Sequence, residues 1–322
     1  MHCSHTHDLT KILPAWGIPQ TFHLRTDIPI AGSPERCHVR HLLQVADDLY
    51  LLEAVHLSKR LLREQQTLLL HALQTNGLEG ISPWLLTTTG DCGVLHDNLF
   101  WQLRRFLAET APLPRETYGF DGWRGTELAQ TLLSLQKASA KLPSFLLPKP
   151  FSLAQYIHQR LLPEIAEKNP ALHRDVQPIL EELQLFLQRE PELPQSFCHG
   201  DFHPGNILWK PTGIAGVIDW EFCGPKIQIY DAANLLGCIG MDEPEWLTSA
   251  LAENFLTSLL EARAFSEESL SFLPETMAAL RFGWLREWFI RNDRELLCQE
   301  LDFIYLLLDN RDLLREKWNL PA

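Results

Sequence analysis

Residues 196–209 read Ser-Phe-Cys-His-Gly-Asp-Phe-His-Pro-Gly-Asn-Ile-Leu-Trp, and a turn follows at Lys210-Pro211-Thr212-Gly213. Residues 214–221 then read Ile-Ala-Gly-Val-Ile-Asp-Trp-Glu, with Tyr230-Asp231 beyond. A short apolar strand at Ser196, Phe197 and Cys198 runs into a polar loop. Asn206 to Trp209 forms the next strand and Ile214 to Ile218 its return. Such a hairpin brings Asn206 close to Asp219, with Asp201 on the loop just ahead. Two carboxylates and a carboxamide are thus expected to converge on one small volume. Phosphoryl transfer uses this set: a carboxylate to orient and deprotonate a hydroxyl, and oxygen ligands for Mg2+.

The spacing Asp-x-x-x-x-Asn from Asp201 to Asn206 matches a kinase catalytic loop, with His199-Gly200 before it. Together with Ile218-Asp219-Trp220-Glu221 and Tyr230-Asp231-Ala232-Ala233, the stretch resembles the aminoglycoside phosphotransferase/choline kinase group. Members of that group are protein-kinase-like enzymes that phosphorylate small molecules. The match is dense over 196–237 and thin elsewhere. The resemblance implies that Asp201 is the catalytic base, that Asn206 and Asp219 hold the metal, and that His199 braces the loop. It also implies that Asp231 holds the loop backbone from the helix that follows. The implied cofactors are Mg2+ and ATP (or GTP) as phosphoryl donor.

Three other readings compete. A Gly/Pro-bearing hairpin with ordinary surface acids accounts for one Asp-x-x-x-x-Asn, but not for the further acids placed at 219 and 231. His199, Asp201 and His203 spell the His-x-Asp-x-His of a metal hydrolase, whose site normally recruits ligands from distant segments. No histidine follows His203. A protein acceptor calls for an activation loop, yet no Asp-Phe-Gly or Ala-Pro-Glu occurs, and 219 and 231 lie close in the chain. A small hydroxylated metabolite or antibiotic-like molecule is the favoured acceptor.

The chain of 322 residues, 45% apolar, is long enough for two lobes and a large core. Its net charge of −13 argues against nucleic acid as a partner and is compatible with a cationic acceptor. Seven cysteines without a Cys-x-x-Cys pair point to free thiols in a reducing compartment. No leader and no apolar run of ~20 residues is apparent. The expectation is therefore a cytoplasmic protein with no membrane partner. Met1 to Asp8 reads as a frayed polar terminus.

The N-terminal third shows strand patterns at Thr21–Arg25, Arg36–Leu43 and Leu49–Val55, then helix from Lys59 to Leu73 on Leu61, Leu62, Leu68, Leu69 and Leu73. Further strands are expected near Trp84–Thr87 and Leu99–Leu103, separated by a turn at Gly90–Gly93. In the kinase-like fold, the Gly32-Ser33 joint would cover the nucleotide phosphates, and the hinge around Arg104, Arg105 and Phe106 would meet the purine. The third strand departs from the pattern. Glu53 occupies the place where kinases carry a lysine that pairs the phosphates and a helix glutamate, here Glu64. Three accounts stand open: a shifted register, a nearby base (Arg36, Arg40, Lys59 or Arg60) in the lysine's role, or a nucleotide-binding pseudokinase.

Beyond residue 107 the pattern is helical, with amphipathic runs at 121–138, 152–167, 175–189, 245–262, 274–291 and 294–310. The fold expected is α+β: a bilobal protein-kinase-like architecture with a strand-rich nucleotide-binding lobe over 1–106 and a mainly helical catalytic lobe over 107–322. Trp284 and Trp288, one helical turn apart, read as core.

Overall fold

The structure, a computed structural model, describes residues 9–19, 21–30 and 37–321. Gly32, Ser33, Arg36 and the segment Met1 to Asp8 lie outside the described residues. The chain divides into two compact units. Unit 1 comprises 1–112, 141–147 and 205–221; unit 2 comprises 113–140, 148–204 and 222–322. The strand-rich unit therefore takes back two later pieces of chain, which a single cut after residue 106 does not describe.

Unit 1 is built on a five-stranded antiparallel sheet in the order β1-β2-β3-β5-β4. Its strands are β1 (His23–Leu24), β2 (Val39–Val45), β3 (Asp48–His56), β4 (Val94–His96) and β5 (Leu99–Arg105). One face packs Leu43, Leu52, Ala54, Trp101 and Leu103 against Leu9, Ile12 and Leu13 from the N-terminal segment. Trp101 is wholly buried there, and truncation to Ala at such a site costs about 3–5 kcal/mol. β4 was not foreseen. Its hairpin with β5 turns at Asp97 and Asn98, both left-handed (φ 50 and 59), which is what a two-residue hairpin turn of this kind requires. The run at Trp84–Thr87 contributes only an isolated bridge, Trp84 to Arg104, and no strand.

Helix α1 (Arg60–Thr75) follows β3. Its inward face differs from the apolar stripe expected. Leu61, Leu62 and Leu68 are exposed, whereas Arg63, Gln66 and Thr67 are buried with Leu69, Leu70 and Leu73. Leucine counting misplaced the face because the buried side is partly polar and answers to polar groups beneath it. The last part of unit 1 is the hairpin β7 (Ile207–Lys210) and β8 (Gly213–Val217), after the unit-2 strand β6 (Gln195–Cys198). The Val217 N–H donates to the Gly80 carbonyl at 2.8 Å. Gly216 lies so close to Gly80 and Leu107 that a β-carbon there has no room. The hairpin is thereby stitched to residues far earlier in the chain.

Unit 2 is mainly helical. Helix α2 (Gly122–Ser139) packs on the helix Ala250–Glu261, where Gly125 allows backbone contact with Leu251. The helix Leu273–Arg291 packs on Tyr230–Asp242 and Arg294–Asp309. The runs expected at 152–167 and 175–189 break into short pieces. A π-helical turn at Tyr156–Leu161 precedes Pro163, whose ring and missing N–H interrupt the ordinary α-helical bonds. One two-stranded sheet, β6 with β9 (Gly224–Ile227), completes the unit; β9 was not foreseen. The six described cysteines are free thiols, and no described helix is long and apolar enough to cross a membrane.

Candidate active site

In unit 2, β6 ends at Cys198 and the chain enters the motif loop. Gly200 takes φ +84, and a β-carbon there would run into the Phe222 carbonyl oxygen and Lys226. Glycine is thus required twice over, by conformation and by space. Asp231 stands in the first turn of the helix Tyr230–Asp242. Its Oδ2 accepts the His199 N–H at 2.6 Å and its Oδ1 the Gly200 N–H at 2.8 Å. One turn on, Asn234 Nδ2 donates to the Phe202 carbonyl at 3.2 Å. His199 is fully buried, and its Nδ1 accepts the Asp201 N–H at 3.2 Å. The backbone of 199–202 is therefore fixed by its own histidine and by two residues of one helix face.

Burial pushes the Asp231 carboxyl up to about 6, against the downward pull of the two N–H groups and Lys226. Burial likewise lowers the Lys226 ammonium, which donates to the Phe222 carbonyl at 2.6 Å. Asp201 is half-buried, with Oδ1 3.6 Å from His203 Nε2. His203 meets the Trp284 ring edge-on at 6.2 Å, and Trp284 stacks on Trp288 at 5.9 Å. Both tryptophans are half-buried rather than core. Sequence reasoning passed over them because helical spacing alone suits a core stripe equally well.

In unit 1, Asn206 is buried and closes the start of β7, its carbonyl accepting the Ile218 N–H at 3.0 Å. That bond sets Asn206 beside the strand end that carries Asp219. Asp219 itself is left-handed at φ 67, a conformation that Asp tolerates better than most residues and that recurs at functional sites. A carboxamide oxygen and a carboxylate are hard donors suited to Mg2+, with the remaining positions normally left to water and phosphate oxygens. The pair fits the metal implied by the resemblance. Among the described residues no group of three or more His, Cys, Asp or Glu forms a metal cluster.

A concavity in the same unit is lined by Ile30, Leu51, Leu208 and Ile218 and by the β5 exit Arg104, Arg105, Phe106 and Leu107. Its aliphatic walls suit a flat ring. The three hinge residues expected to meet a purine all line it. Two hinge groups are already engaged, however: the Phe106 N–H donates to Leu49, and the Arg105 carbonyl accepts from Ser82 Oγ at 2.6 Å.

Glu53 is buried in the middle of β3, directly across from Arg40 on β2 and from Gln102 on β5. Its Oε1 accepts from Arg40 Nε at 2.9 Å and lies 2.7 Å from Nη2, while Oε2 lies 3.8 Å from Arg104 Nε. Burial raises its carboxyl, but Arg104, Arg40 and Arg63 outweigh that and hold it below the usual range. Glu64 does not join this cluster. It pairs with Arg60 along the same helix at 2.8 Å, and the α1 residue turned inward is Arg63, one position earlier. Glu53 thus stands as a carboxylate among arginines.

Set beside known proteins, residues 54–273 match the family described as the phosphotransferase enzyme family. The chain belongs to that family. A homoserine kinase of Phenylobacterium zucineum (strain HLK1) is 35% identical over 130 residues, 38% of this chain and 36% of that protein. The chain thus matches about a third of the length of this curated relative. The solved structure of a microcompartment-associated aminopropanol kinase superposes with a TM-score of 0.68 at 14% identity, covering 96% of this chain and 97% of that one. The amicoumacin kinase solved with AMP-PNP, Ca2+ and Ami gives 0.62 at 15% identity, covering 87% and 90%. At these identities the likeness shows the fold, which is protein-kinase-like. The phosphotransferase family match opens at residue 54, so Arg40 and Glu53 lie outside it.

Proposed function

We propose that this chain transfers the γ-phosphoryl group of ATP or GTP to a hydroxyl of a small molecule. The observation that carries the reading is the double hold of Asp231 on His199 and Gly200, which fixes the backbone leading into Asp201. In this reading Asp201 orients the acceptor hydroxyl and takes its proton, and His199 and Asp231 keep its backbone in place. A dissociative transition state asks chiefly for such positioning, so Asp201 needs no raised pKa. Asn206 and Asp219 would hold a divalent cation, which neutralises charge on the transferring phosphate oxygens when bound. The purine would lie between Leu51 and Leu208, its edge facing the Phe106–Leu107 backbone. The nucleotide-binding part would thus extend past residue 106 to include the β7–β8 hairpin.

The acceptor proposed is a small amino alcohol. Homoserine and aminopropanol, named for two of the similar proteins, both carry a hydroxyl and an amine. On this chain, His203 and Trp284 set aromatic edges near Asp201, while Arg281 and Arg291 already lie over the Trp284 and Trp288 rings. The test is Asp201→Asn assayed with an amino-alcohol panel. Turnover falls by roughly 10²–10⁴-fold, the usual contribution of a general base. The stabilisation given by Mg2+ and nucleotide stays, about 2.7 kcal/mol at one hundred times Kd, read as a shift in melting temperature. Undiminished turnover in that variant would overturn the assignment. A second reading, a nucleotide-binding scaffold, rests on Glu53 in the lysine position; a nucleotide shift without turnover on any hydroxyl acceptor would favour it.

A further inference from the structure

Glu53 is a carboxylate where an anionic ligand is expected to be gripped by a cation, and its surroundings answer that mismatch. Arg40 and Arg104 reach the same buried carboxylate from β2 and β5, and Arg63 acts on it electrostatically from α1. Arg63 and Arg104 both lie over the Trp84 ring, at 4.8 and 5.6 Å, which holds their guanidinium planes. The Arg104 Nε is buried without a hydrogen-bond partner among the described residues. Glu221 acts on Arg63, and Asp219 and the Cys37 thiol act on Arg40. Asp219 is the proposed metal ligand. With its charge committed to a cation, the cluster keeps more guanidinium than carboxylate in a largely buried place. Uncompensated buried charge is costly, and an anion relieves it.

Position identifies the anion. Leu51 lines the aliphatic concavity two residues before Glu53, and side chains two apart share one face of a strand. Arg40 is directly across from Glu53, and the Asp219 carboxylate lies within its electrostatic reach. A ligand with a ring in the concavity and phosphates running toward Asp219 therefore passes the arginine cluster.

We infer that Arg40, held by Glu53, is the cation that grips the nucleotide phosphates in this chain, with the usual strand-to-helix ion pair rebuilt with its charges exchanged. The inference rests on the nucleotide-binding reading above. In the common arrangement a strand lysine is steadied by a helix glutamate. Here the strand supplies the glutamate, the neighbouring strand the gripping arginine, and α1 a second arginine, Arg63. Glu53 is a positioning residue. The carboxylate in the lysine position is then no sign of a dead site, and removing it harms nucleotide binding.

The experiment compares binding of Mg2+ with ATP or GTP against binding of the corresponding nucleoside, which lacks phosphates, by thermal shift and calorimetry on the full chain. Arg40→Met weakens the triphosphate by roughly 10–100-fold, the range for lost hydrogen bonds to charged groups, and leaves the nucleoside unchanged. Arg40→Lys keeps the charge but loses the fork and falls between. Glu53→Gln shows the same triphosphate-selective loss in weaker form. Equal affinity of wild type and Arg40→Met for the triphosphate overturns the inference alone, as does equal weakening of triphosphate and nucleoside. A wild-type protein that binds no nucleotide overturns both the inference and the reading beneath it. Should Arg40→Met fail to fold, the Arg40→Lys comparison decides: unchanged triphosphate affinity there counts against the fork.

Discussion

Each unit buries an arginine–glutamate contact, and the two are built to different ratios. In unit 2, Arg281 and Glu300 form a closed pair, with Nε to Oε2 at 2.8 Å and Nη2 to Oε1 at 2.5 Å. Trp288 Nε1 adds a third bond to that carboxylate at 3.0 Å, and Arg281 lies over the Trp284 and Phe303 rings. One cation answers one anion, and the aromatic shell closes around them. In unit 1, three guanidiniums act on Glu53, and the Nε of one, Arg104, has no hydrogen-bond partner among the described residues. A matched pair ties helices together; an unmatched set is a standing demand for a further anion. Both look alike as entries in a charge count, and only the stoichiometry separates architecture from recognition.

The contrast breaks most sharply on removal of one partner. Arg281→Met leaves a buried carboxylate uncompensated and is expected to cost about 3–5 kcal/mol in denaturant unfolding, with the nucleotide response of the folded fraction unchanged. A loss below 1 kcal/mol would mean that the pair in unit 2 is no more closed than the cluster in unit 1.

A third buried carboxylate, Asp231, sharpens the comparison, because its acceptor bonds go to backbone N–H groups and not to guanidinium. Its folded pKa of about 6 lies above the ordinary carboxylate value, whereas Glu53 lies below its own. The fold thus binds the Asp231 proton more tightly than the unfolded chain does. Its contribution is fully present below about pH 4 and is lost as pH rises through about 6, on the order of 3 kcal/mol in all. Stability of the wild type relative to Asp231→Asn should fall by that order between pH 4 and pH 7. Parallel pH curves for the two proteins would remove the burial account.

The smallest effect expected is on the apo stability of Arg40→Met, under about 1 kcal/mol. Arg63 and Arg104 still neutralise Glu53, and mutual repulsion among the three cations is relieved. An apo loss matching that of Arg281→Met would make Arg40 a structural partner like its unit-2 counterpart.

How far the sequence could be read follows the same division. The loop from His199 to Asp201, with Asp231 beyond, is legible in the sequence because its bonds are local or run to the next helix, and residue identity nearly dictates them. Gly200, for instance, is demanded by φ. The Arg40–Glu53–Arg63–Arg104 cluster was visible only in part. Arg40 was one of four named bases, and nothing local distinguishes it from Lys59 or Arg60. Strand register decides, since Arg40 is the residue directly opposite Glu53. The kinase pattern offers Glu64 as the helix partner, whereas the charged α1 residue turned inward is Arg63. β4 and β9 were missed for want of length: short strands carry too few residues to show alternation.

The β7–β8 hairpin has a consequence for synthesis on the ribosome. The sheet strands β1 to β5 have all emerged by residue 112, but the unit they belong to is finished only when 205–221 arrive. At bacterial and eukaryotic elongation rates that gap lasts about 5–20 s, long compared with the folding of a small domain. The Gly80 carbonyl, which later accepts from Val217, and the Leu107 surface against Gly216 must wait through it. The nascent chain therefore carries an open seam while residues 113–204 are made, and the last strand pair to close it brings Asn206 and Asp219 with it.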